Sequence, residues 1–93
     1  MKKLIQTHFN YFSFEMPLDA VLDCSHKGRC DDDVEYWQSK LNLNLNREKM
    51  FEELKEYGAW TSEELKALED YELEQKVIWI GACNAKDEMR DGK

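Results

Sequence analysis

Leu4–Pro17 reads LIQTHFNYFSFEMP, and how this stretch pairs decides the fold. Phe12, Phe14 and Met16 alternate with Ser13 and Glu15, the period-two pattern of a half-buried strand. Ile5, Thr7, Phe9 and Tyr11 occupy the opposite parity, which places a bulge or a break near Tyr11. Pro17 ends the strand, and no other stretch reads as β. A solitary strand leaves its backbone donors and acceptors unpaired, so it needs an edge to bond with. Two arrangements supply one. Either Leu4–Phe9 folds back on Tyr11–Met16, or the strand pairs with its copy in a symmetric homodimer.

The remainder reads as helix. LDAVLDCS after Pro17 makes a short helix with Leu18, Val21 and Leu22 on one side. Pro17 at its first position costs little, because that N–H would be free anyway. Gly28 gives a turn, and a second helix from Asp31 to about Leu41 carries Val34, Trp37 and Leu41 as one apolar stripe. Asn46 caps a third helix, REKMFEELKEY, with Met50, Phe51, Leu54 and Tyr57 as its buried face. Gly58 then stands where a left-handed residue belongs. Thr61 with Glu64 forms a capping box, and Trp60 is placed to staple onto Leu65.

A last helix runs from about Ser62 to about Lys86. Leu65, Leu68, Leu73, Val77, Ile80 and Cys83 trace its inner side, with a skip near Tyr71. VIWIGAC is apolar all round and marks the most buried element, where Gly81 and Ala82 admit the close approach of another backbone. The fold class is therefore mainly α, a small bundle of three to four helices with one short N-terminal β-strand, dimer-paired or in a hairpin. One domain spans 1–93: a strand segment over 1–16, the bundle over 17–87 and a frayed tail over 88–93.

The formal net charge is −7, from 20 acidic and 13 basic residues. Such a surface repels phosphate backbones and anionic lipid, which disfavours direct nucleic-acid or membrane binding. It suits a protein partner with a basic surface, although acidity also serves solubility alone. No run approaches a membrane span. Polar Gln6, Thr7, His8 and Asn10 interrupt the apolar start, so a signal peptide is not expected. Three cysteines, an odd number, argue against a disulfide framework and for a reducing cytoplasm.

Two readings of DCSHKGRCDDDV compete. Cys24, His26 and Cys30 could ligate zinc, with Cys83 or His8 completing a tetrahedron, although C-x-H-x3-C is not a common zinc-finger spacing. Alternatively, the cysteines are small buried packing residues in a tight interhelical turn. Asp31, Asp32 and Asp33 then favour a helix start through its free N–H groups and dipole. A calcium loop fails, since Tyr36 and Asn42 stand where a glycine and a glutamate are needed. There is no Gly-rich phosphate loop, G-x-S-x-G or H-E-x-x-H, and catalysis is not expected.

LKEYGAWTSEEL and VIWIGACNAKD, together with DCSHKGRCDDDVEYW, resemble small proteins encoded in bacteriophages and prophages, across about Phe14 to Asp87. That group shares a YGAW-[acidic]-x-EEL turn and a WIAA helix end. Here Thr61 replaces the acidic residue and Gly81 an alanine. The resemblance carries no activity with it. It implies a setting in which accessory proteins of this size bind and block a host protein, such as a nuclease or CRISPR component.

The function expected is thus non-enzymatic: inhibition of a host protein through acidic helical faces. Glu52, Glu53, Glu56, Glu63, Glu64, Glu69, Asp70 and Glu72 are the candidate partner-binding residues. A zinc-stapled adaptor built on Cys24, His26 and Cys30 is the alternative.

Overall fold

The computed structural model describes residues 4–25, 31–41 and 43–91, and of these all side chains except His8, Asp31 and 89–91. Two strands come first, β1 (Leu4–His8) and β2 (Ser13–Pro17). Among the described residues five helices follow: α1 (Leu18–Cys24), α2 (Asp31–Leu41), α3 (Arg47–Tyr57), α4 (Ser62–Lys66) and α5 (Asp70–Asp91). The protein is mostly helical with a small antiparallel sheet at its N-terminus.

The strands form a hairpin within one chain. Leu4 lies opposite Pro17 and His8 opposite Ser13, and the Phe9 N–H donates to the Phe12 carbonyl at 3.0 Å to close the turn. In this register each odd residue of β1 faces an even residue of β2. One face therefore takes Thr7 and Ile5 from β1 and Phe14 and Met16 from β2. The parity change near Tyr11 is the signature of that turn. Because the chain supplies its own edge, the unpaired-strand argument for a homodimer falls away.

Helix α5 organises the rest. At 22 residues it is about 33 Å long at 1.5 Å per residue. That is most of the molecule's 40 Å long axis. Leu73, Val77, Ile78 and Ala82 have no exposed surface, and α1, α2, α3 and β1 all pack against this helix. Its inner side carries Ala82 and Ala85, whereas Cys83 is half-buried. Gly81 admits a close approach, of aromatic rings rather than backbone. A Cβ there would stand 3.3 Å from the tips of both Phe9 and Phe14.

Helix α1 turns Ala20, Val21 and Cys24 inward, and Leu22 is 41% exposed. The i, i+1, i+4 stripe of small residues lets α1 lie close to α5, where Leu18 and Leu22 were the larger apolar candidates. Pro17 is the N-cap residue and the last of β2, one position earlier than expected. In α3, Met50 and Leu54 are buried, while Tyr57 lies in the last turn, half-exposed and stacked on Trp60 with ring centroids 5.9 Å apart.

The sequence suggests one helix from Ser62 onward, and the structure divides it at 67–69. Thr61 and Glu64 make both bonds of the capping box that opens α4. Eight residues later the pattern recurs: the Glu69 N–H donates to the Glu72 carboxylate at 2.9 Å, opening α5. Trp60-Thr61-x-x-Glu64-Leu65 and Leu68-Glu69-x-x-Glu72-Leu73 share their spacing, and Leu65 and Leu73 are both fully buried. The skip near Tyr71 is this restart. At the far end α5 continues to Asp91, past the expected end at Lys86 and into the segment read as a frayed tail.

Candidate partner-binding surface

The eight nominated carboxylates divide by what they hold. Glu53 accepts the backbone N–H groups of Asn10 (2.8 Å) and Tyr11 (3.2 Å), capping the hairpin turn from α3. Glu56 accepts the Asn10 side-chain amide at 3.3 Å and the Tyr11 hydroxyl. The Tyr11 phenol is consequently pushed up to about 12, first by its bond to Glu56, then by partial desolvation and the charges of Glu56, Glu52 and Glu53. Glu64 and Glu72 cap helices. Asp70 pairs with Arg47 at 2.7 Å, the only ion pair among the described residues.

Glu52, Glu63 and Glu69 make no side-chain hydrogen bond to any described residue. Accepting a hydrogen bond does not discharge a carboxylate, so seven of the eight groups remain without a counter-ion within 4 Å among the described residues. The surface keeps its sign. Its geometry is more particular than a uniform acidic face.

A furrow made of three adjoining hollows lies along α3 and the α4–α5 joint. It begins as a hollow of about 290 Å³ lined by Arg47, Glu48, Phe51, Glu52 and Lys66. Arg47 and Lys66 are shared with a second hollow of about 630 Å³, which continues over 67–71. Asp70 and Tyr71 are shared in turn with a third, of about 270 Å³, which reaches Met50 and Glu74.

Arg47 shapes this furrow. Its guanidinium donates to Asp70, to the Leu68 carbonyl at 2.9 Å and to the Lys66 carbonyl at 3.4 Å. Those carbonyls lie at the end of α4, where no further helical turn supplies donors. Glu48, Phe51, Tyr71 and Glu74 belong to the surface although the sequence reading did not nominate them. The i, i+4 spacing of Glu48 and Glu52 on REKMFEELKEY was the available signal.

Of the proposed zinc ligands, two have described side chains. Cys24 is fully buried in α1 and Cys83 half-buried on α5. His26, Cys30 and the His8 side chain lie outside the described residues. No group of three or more His, Cys, Asp or Glu suited to a metal ion occurs among the described residues.

The two motifs of the phage resemblance meet in space. Trp60 of the YGAW turn packs edge-on against Trp79 of the α5 apolar run, with centroids 6.4 Å apart, and Lys76 lies over the Trp60 ring. No protein-family model, curated protein or solved structure matches the chain. No helix among the described residues is long and apolar enough to cross a membrane.

Proposed function

We propose that this protein is a non-enzymatic binding protein that occludes a basic, nucleic-acid-binding surface of another protein. The setting suggested by the phage resemblance is the cytoplasm of an infected cell, with a host nuclease or CRISPR component as target. One observation carries the reading: three carboxylates, on Glu52, Glu63 and Glu69, stand outside every internal bond of the described structure, and Glu52 and Glu69 line a furrow of the same sign. A chain of net charge −7 with such a surface attracts cationic protein and repels nucleic acid. Encounter is steered by long-range charge, so binding weakens with salt over a Debye length of about 8–10 Å.

The test is a capture from host lysate followed by displacement. Wild-type protein should retain a basic nucleic-acid-binding protein and release duplex DNA from it. The triple reversal Glu52→Lys, Glu63→Lys, Glu69→Lys should lose both activities while keeping its native circular dichroism. Equal capture by the reversed protein would discard the reading.

A further inference from the structure

We infer that the furrow takes an extended, arginine-rich segment of the partner, with guanidinium groups paired to Glu48, Glu52 and Glu69 and stacked on Phe51 and Tyr71. This rests on the proposed occlusion reading and names the chemistry of its contact.

Shape comes first. The three hollows adjoin, the first and second sharing Arg47 and Lys66 and the second and third Asp70 and Tyr71, so the surface is a row of depressions with the Arg47 side chain between the first two. A flat folded surface would span the hollows and leave their floors solvated, whereas an extended segment can send successive side chains into them.

Charge comes second. Arg47 is committed to Asp70 and to two carbonyls, which leaves Lys66 as the one uncommitted cation of the lining among the described residues. Glu48, Glu52 and Glu69 make no side-chain hydrogen bond to a described residue. They are acceptors for an incoming donor.

Chemical selectivity comes third. Phe51 is half-buried and Tyr71 is 56% exposed, and both line the furrow, so their aromatic rings are accessible from it. A guanidinium is planar and weakly hydrated; it can fork onto a carboxylate and lie flat on a ring at once. A lysine ammonium is compact and strongly hydrated, so it gains the Coulomb attraction with little stacking.

The probe is a fluorescein-labelled peptide of alternating glycine and arginine, titrated by anisotropy at constant salt beside its glycine–lysine counterpart. The arginine peptide should bind at least about fivefold more tightly than the lysine one. Combining Glu48→Gln, Glu52→Gln and Glu69→Gln should weaken it by about tenfold or more, and Tyr71→Ala by about threefold. Glu15→Gln, Asp19→Asn and Glu35→Gln remove the same net charge from exposed positions outside the furrow and should cost under about threefold.

Equal losses from the two triple variants, or equal affinity for both peptides, would overturn the inference. The two proposals fail separately. If DNA displacement from a captured partner survives while furrow selectivity is absent, occlusion stands and the furrow is not its contact. If the peptide binds selectively but no displacement occurs, the furrow stands and occlusion falls.

Discussion

The Tyr11 hydroxyl donates to the carboxylate of Glu56, which lies 45 residues along the chain on another element. With Glu53 on the two backbone N–H groups, α3 holds the turn of the hairpin through four accepted hydrogen bonds. The Tyr11 phenol is raised from 10.0 to about 12 in the folded protein. A group whose folded value is raised contributes its stability fully below the unfolded value and loses it as pH rises through the folded one. The contribution of Tyr11 is thus complete below about pH 10 and gone above about 12. A tyrosinate absorbance titration of the wild type minus Tyr11→Phe should show a component near 12. The difference in melting temperature between the two proteins should shrink across the same window.

Gly81 faces two opposing effects. Alanine favours helix over glycine by about 0.8–1.0 kcal/mol in a helix interior. Its Cβ would meet the Phe9 and Phe14 rings at 3.3 Å, so the ring tips must give by a few tenths of an ångström. Phe9 is only partly buried and can yield. Gly81→Ala should therefore change stability by less than about 1 kcal/mol, and Gly81→Val should destabilise by about 1–3 kcal/mol through overpacking. Denaturant unfolding checks both, and Phe9→Leu should recover part of the valine loss.

Arg47 and Asp70 should not be equivalent. Their ion pair is exposed and worth at most about 1 kcal/mol, falling with salt. The bonds from Arg47 to the Lys66 and Leu68 carbonyls are a separate contribution that Asp70 does not make. Arg47→Ala should cost roughly 1–2 kcal/mol, persisting in high salt, and Asp70→Ala under about 1 kcal/mol. Unfolding curves at low and high ionic strength separate the two contributions.

The two cap motifs differ at the N-cap position, threonine in one and glutamate in the other. Thr61 closes both bonds of its box, whereas Glu69, in the corresponding position, supplies only its N–H. Serine or aspartate is a better N-cap than glutamate. Glu69→Asp should stabilise by about 0.5–1 kcal/mol, and Thr61→Ala should destabilise by about 1 kcal/mol, both read from denaturant midpoints.

That difference also explains what was legible in the sequence. Asn46, Gly58 and the Thr61–Glu64 box act within a few residues, and the structure places each where the local chemistry does. The start of α5 escaped because glutamate is not a capping residue, although Leu68-x4-Leu73 repeats the staple spacing of Trp60-x4-Leu65. On α1 the apolar side of Leu18, Val21 and Leu22 is right for Val21, which is buried, while Leu22 is 41% exposed and Ala20 and Cys24 fill the inner face instead. Tyr57 was placed inside by its period and stays out by stacking on Trp60. For the surface, sequence located the acidic segments but could not assign their duties. Glu53 and Glu56 are bonded to residues 42 to 46 positions away, a separation that no local pattern encodes.

The seat of the hairpin has a consequence for biosynthesis. Phe9 and Phe14 close on Gly81, so the hairpin finds its resting place only after roughly 70 further residues have been made. At about 5–20 residues per second, those rings wait on the order of 4–14 s for their helix. During that interval a nascent chain displays a sticky, unroofed β-ribbon, and whatever meets it there competes with its own C-terminal half.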